Sequence, residues 1–299
     1  MANNLEFAKK CSAELDKILV HKSKTGFMTQ NNFGVKFTGA DEVKIPSMEL
    51  TGAGDYDRNT GYPKSTVTVS RQSYTLSKDR GVSFTIDSVD AEDIGVEKAV
   101  ANISGEFVRT KMIPESDAYA MSVLAGIAKT KSQVKALADY AEKPFKAYLD
   151  IVSAIFQTGY DEELVIFVRD EFYNKLLLTP EFEKSVNVGE FKHGEITLEV
   201  SKINGNYIVR MPDARMFTAY DFKDGKAEGD FGFAPQENAD EISMIVLPKS
   251  AACRINKHEV LRIHNPDTNK DADAYTVNYR LHYDVLVKKS MEGTIWALI

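Results

Sequence analysis

"VKIPSMELTGAGDYDRNTGYPKSTVTVS", residues 43–70, sets two alternating segments around a long polar loop. In the first, Val43, Ile45, Met48 and Leu50 are apolar positions on either side of Pro46. In the second, Thr66, Val67, Thr68 and Val69 are all strong strand formers, and the segment alternates strictly. This predicts two strands. The loop between them, 51–65, is far longer than a tight hairpin turn, and loops of that length are usually functional or mobile. Gly52, Gly54 and Gly61 stand in it beside Asp55 and Asp57, a composition that also suits a phosphate or metal cradle.

The ligand templates fail at named positions. A dinucleotide fingerprint needs a glycine at its sixth position, which here is Asp57, and a helix after it. In a calcium loop, Asp55, Asp57 and Asn59 would fill positions one, three and five. The glycine of position six is then Thr60, and the bidentate glutamate of position twelve is Thr66. Neither a cofactor nor a metal is expected here.

No nucleophile elbow, P-loop or HExxH zinc motif occurs in the chain, so no catalytic residue is assigned. Five histidines (His21, His193, His258, His264 and His282) lack a ligand spacing and read as surface or half-buried side chains. Cys11 and Cys253 form no CxxC pair and read as buried free thiols. The formal net charge of −7 argues against a dedicated nucleic-acid reader. No run of about 18 apolar residues is present, so neither a membrane-spanning helix nor a membrane partner is expected. The charged, amphipathic start lacks a signal peptide's apolar core, which predicts folding in a cytoplasm.

Outward from the opening stretch, 1–20 reads as a helix through Phe7, Cys11, Leu15, Ile18 and Leu19. Residues 21–42 are polar and glycine-bearing and read as an extended arm. "GVSFTID", 81–87, is another strand. Val96, Val100, Ile103 and Phe107 then form a helical stripe with capping side chains in "DSVDAED", 87–93. Pro114 predicts a kink near 110–113, and Tyr119, Val123 and Ile127 continue the helix. Pro144 opens a helix with Phe145, Tyr148, Leu149, Val152 and Ile155 on its apolar face. "ELVIFV", 163–168, reads as a strand buried on both faces, followed by a short helix capped by Asp170. "YIVRM", "SMIVL" and "VLRIH" are further strands, and the end alternates as one long strand and one short one carrying Trp296.

Five stretches, spread along the chain between residues 54 and 298, resemble the capsid proteins of tailed bacteriophages and prophages with the Hong Kong 97-type fold. They are "GDYDRNTGY" (54–62), "DRGVSFTIDSVDAED" (79–93), "EFVRTKMIPESDAYA" (106–120), "VRMPDARMFT" (209–218) and "YRLHYDVLVKKSMEGTIWAL" (279–298). The resemblance implies an α+β capsid fold with 1–42 as N-terminal arm and 43–80 as extended β-hairpin loop. It further implies a peripheral domain with a spine helix at 81–130, a mixed α/β axial domain at 131–265, and peripheral return strands at 266–299.

The function implied is that of a major capsid protein, not an enzyme, assembling into hexamers and pentamers of an icosahedral head around the phage genome. Its partners would be copies of itself, a separate scaffolding protein, a portal, and packaged DNA held by weak non-specific contact. Its place would be the virion capsid, with the host cytoplasm during assembly. Asp55, Tyr56, Asp57, Arg58, Asn59, Tyr62 and Lys64 become candidate inter-subunit contacts. The alternatives are an encapsulin-like nanocompartment shell, or a soluble enzyme or calcium-binding module using the 51–65 loop.

Overall fold

The computed structural model describes residues 11, 13–15, 18–19, 22–31, 33–39, 41–59, 61–64, 66–90, 95–193, 196–227, 229–269 and 272–299. Phe7, His21 and the 91–93 part of the predicted cap lie outside them. In chain order, strands β1 (Lys36–Thr38), β2 (Glu42–Leu50), β3 (Val67–Thr75) and β4 (Lys78–Asp87) come first. Helix α1 (Val96–Phe107) passes through a π-helical turn, Val108–Met112, into α2 (Ile113–Thr130). Then follow β5 (Val134–Lys135), α3 (Pro144–Phe156), β6 (Leu164–Arg169), α4 (Asp170–Leu177) and α5 (Pro180–Ser185). Strands β7 (Val186–His193), β8 (Ile196–Ile203), β9 (Asn206–Met211), β10 (Tyr220–Phe222), β11 (Phe233–Pro235) and β12 (Met244–Pro248) continue the chain. It closes on β13 (Ala252–His264), β14 (Ala274–Val287) and β15 (Trp296–Leu298).

Seven strands form the largest sheet, in the order β5-β15-β12-β6-β9-β8-β7. The apolar run of β6 places it centrally, antiparallel to β12 and parallel to β9. Its alternation divides the core. Val165 and Phe167 join the cluster containing Leu124, Ala125 and Ala128 of α2. Leu164, Ile166 and Val168 join Tyr148, Ile151 and Ile155 of α3 and Phe172 and Leu176 of α4. The unit is thus three layers, helix on sheet on helix.

A second sheet, β13-β14-β4, runs as a long antiparallel ribbon against α1 and α2. The third, β1-β2-β3, is the hairpin foreseen in 43–70. The kink foreseen at Pro114 takes the form of the π-helical turn. Pro114 has no N–H to give to the Thr110 carbonyl, and the Ile113 N–H bonds the Val108 carbonyl, five residues back.

Several expectations need correction. Residues 23–31 are not an extended arm: Ser23, Thr25, Phe27 and Met28 are buried, because Phe27 and Met28 insert into the main core. The boundary at 265 is displaced, since the chain leaves the seven-stranded sheet after Pro248 and β13 already pairs with β14. β15 does not belong with the ribbon, for it inserts between β12 and β5. Ile103 and Leu149 are exposed: α1 buries Ala99, Val100 and Ser104, and α3 buries Ala147, Tyr148 and Ile151, so each inner face is turned away from them. The N-cap of α1 is Gly95, and Asp87 instead accepts the Val89 N–H. Asp170 caps nothing, for its carboxylate is taken by Arg210.

Candidate assembly surface

The hairpin β2–β3 is built in two halves. In the register Glu42 faces Thr75 and Leu50 faces Val67, so directly opposed residues share a face. Near the root, Val43 and Ile45 are buried with Phe33, Leu76, Cys253, Ile255 and Leu286. Beyond Pro46 the apolar residues change face. Met48 lies opposite Val69 on the other side of the ribbon, with Val67 two positions on. Met48 is 63% exposed and Val69 66%. The outer half therefore presents aliphatic side chains away from the face that its own core covers.

The tip carries all seven candidate contact residues, and all seven are exposed. Asp57 and Gly61 close it with two backbone hydrogen bonds, Asp57 N–H to Gly61 O at 3.2 Å and Gly61 N–H to Asp57 O at 2.7 Å. Gly61 has φ +81°, which a residue with a Cβ adopts only under strain. The Asn59 N–H donates to Asp57 Oδ1 at 2.5 Å, which spends that carboxylate oxygen on the turn. The rings of Tyr56 and Tyr62 meet at 5.0 Å between centroids, with Tyr62 85% exposed. Asp55, Arg58 and Lys64 point to solvent and form no ion pair with one another. The loop thus offers two rings and mixed charge at the end of a ribbon.

The root is fixed by polar contacts. Asp284, nearly buried, accepts the Ser77 N–H at 2.9 Å and the Tyr119 hydroxyl at 2.7 Å. Burial, and then the Asp284 charge, push the Tyr119 hydroxyl well above its ordinary pKa. Arg80 donates to Glu115 of α2 and to the carbonyls of Lys223 and Gly232, which flank the turn of the β10–β11 hairpin. Lys78 lies 3.7 Å from the centroid of the Phe222 ring, and burial, followed by the neighbouring Arg80, lowers its pKa. Four elements, β4, α2, β14 and the β10–β11 hairpin, therefore converge on the base of the ribbon.

None of these root residues was among the sequence candidates. A partial signal exists in "MIPESDAYA", where Glu115 and Asp117 interrupt a helix otherwise apolar enough to be buried all round. Their partners are remote in sequence and could not be read from it.

The chain matches no family model and no curated protein. Its fold, however, is similar to that of solved phage structures. The mature capsid of bacteriophage PhiM1 superposes with a TM-score of 0.53 at 15% identity, over 87% of this chain and 82% of that one. The capsid of the cyanophage P-SCSP1u gives 0.52 at 13%, over 88% and 84%. A structure from Microbacterium phage Oxtober96 gives 0.52 at 11%, over 88% and 87%. At these identities the likeness is one of fold: the chain has an α+β phage-capsid fold.

Proposed function

We propose that this chain is a major capsid protein whose copies assemble, as hexamers and pentamers, into the icosahedral head shell of a tailed phage or prophage. The observation that carries this reading is a capsid-type fold over 87% of the chain together with a ribbon whose outer half exposes aliphatic side chains. A two-stranded ribbon is marginal in water without a surface to pack on, and a neighbouring copy supplies one. A projecting element that lands on a different surface of the next copy makes a heterologous contact, the kind that closes rings. A net charge of −7 suits a wall that encloses DNA without gripping it. In this reading a separate scaffolding protein and a portal complete the assembly, the protein gathers in the host cytoplasm, and it ends in the virion.

Electron microscopy of the purified protein, alone and with a scaffolding protein, tests this. Hexameric rings or closed particles are expected. A strict monomer at high concentration under both conditions would sink the reading. Particles loaded with a protein cargo in place of DNA would move it to a nanocompartment shell.

A further inference from the structure

The register fixes how the backbone of β3 is used. The Leu76 N–H donates to the Asp41 carbonyl at 2.8 Å, and 41 with 76 continues the β2–β3 register by one pair. Hydrogen-bonded and non-bonded pairs alternate along an antiparallel ladder. The bonded pairs are therefore 43 with 74, 45 with 72, 47 with 70 and 49 with 68. In Val67, Val69, Arg71, Ser73 and Thr75 both N–H and C=O point away from β2. Pro46 agrees with this parity. It lies opposite Arg71 in a non-bonded pair, two residues past the last β1 pairing at Lys36–Lys44, so its missing N–H costs neither ladder a bond.

β3 is the terminal strand of its sheet. Its outward groups recur every second residue, about 7 Å apart. Proteins blunt such edges with charges, prolines or bulges. Along Val67–Thr75 there is one charged residue, Arg71, with no proline and no break in the register. Residues 67–71 are all exposed. Among the described residues the edge is long, regular and open.

We propose that a strand of a second copy of this chain adds along the free edge of β3. The inference rests on the shell reading above, in which copies are held side by side. A ladder on one nine-residue strand falls well short of the roughly 1,200 Å² that sustains a soluble pair, which suits a contact made only where many copies are already arrayed. The exposed Met48, Val67 and Val69 lie on the same outer half, so the incoming strand's side chains extend that aliphatic face.

Hydrogen exchange on isolated subunits and on assembled particles reads this directly. In particles the amides of Val67, Val69, Arg71 and Ser73 should slow at least tenfold, while those of Thr68, Ser70 and Gln72, already bonded to β2, change little. Arg71→Pro removes an outward donor and no β2–β3 bond, so it should keep the monomer's melting temperature and lose particles; Arg71→Thr, which keeps the donor, should assemble. Outward amides that exchange equally fast in both states, or Arg71→Pro particles at wild-type yield, overturn strand addition and leave the shell reading standing. Slowing that needs a second protein overturns the choice of occupant. Failure of the unmodified chain to form any ring or particle overturns both.

Discussion

Arg80 and Glu115 meet as a two-pronged pair, Nε to Oε1 at 2.6 Å and Nη2 to Oε2 at 3.0 Å, across the 35 residues that separate β4 from α2. The Glu115 carboxylate is nearly buried, and Arg80 gives two further N–H donors to the Lys223 and Gly232 carbonyls. The same guanidinium thus fastens the ribbon's root, the long helix and the β10–β11 hairpin. Removing one partner of such a pair leaves a charge without compensation, at a cost on the order of 3 kcal/mol. Glu115→Ala should lose about that much in urea unfolding and speed amide exchange in 220–235. Unchanged exchange there would mean that Arg80 does not organise that hairpin.

Asp117 is the second buried carboxylate of α2, and it holds the segment that was expected to hang free. It accepts the Ser23 hydroxyl at 2.5 Å, the Thr25 hydroxyl at 2.7 Å and the backbone N–H groups of Lys24 and Thr25. Arg215 adds a bond at 3.0 Å. Asp117→Ala strands these donors together, at about 1–3 kcal/mol for each buried one left unmet. The segment around 22–31 should then become cleavable by trypsin at Lys22 and Lys24 in the otherwise folded chain. Equal resistance in both proteins would refute the role given to Asp117.

The thiols give a prediction in pH. Cys253 is buried and donates to the Asn31 carbonyl at 2.9 Å; burial raises its pKa from 9.0 to about 12, against a smaller lowering by Lys288. The folded state therefore holds this proton in a range where the unfolded state releases it. Stability is fully present below about pH 9 and falls as pH rises from 9 towards 12. Tyr119, Tyr220 and Tyr283, all raised chiefly by burial, act in the same sense above pH 10. Lys78, lowered by burial, works in the opposite sense below 10.5, alone against several. Urea midpoints should fall steadily above pH 9. At pH 8 a thiol reagent should label neither Cys11 nor Cys253 until the chain is unfolded; rapid labelling of the native protein would contradict the packing of β13 on the root cluster.

The sequence carried the elements well wherever one period or one residue dictates them. Alternation at 43–50 and 66–70 found the ribbon, the apolar run at 163–168 found the central strand, and Pro114 found the break in the long helix. What it hid has a common physical cause. Ser23, Thr25 and Arg215 look like ordinary polar surface residues, and only the fold shows that they surround Asp117. β15 reads as one more alternating stretch, whereas its place between β12 and β5 depends on pairing with strands at 134–135 and 244–246. Periodicity reports a face to be buried and leaves open what buries it. The ribbon's tip was legible as a loop, while its root, made by contacts more than 30 residues apart, was not.

The face reversal in the ribbon yields the last prediction. Val43 and Ile45 are covered by the chain's own core, so Ile45→Asp should unfold the root, burying a charge among Phe33, Cys253, Ile255 and Leu286. Among the described residues Met48 and Val69 stay 63% and 66% exposed, and they are directly opposed, so Met48→Lys with Val69→Asp, an opposite-charge pair, should leave the melting temperature of the isolated subunit within about a degree, as surface changes of under 0.5 kcal/mol do. If a neighbouring copy covers that face, the same double change buries two charged side chains in an apolar contact and should abolish particles in electron micrographs. Deleting 52–63 tests the tip separately, and it too should spare the subunit and block the shell. Particles of normal yield from the double variant would show that the aliphatic face stays in water. Unfolding of the subunit by the tip deletion would show that the loop belongs to the core.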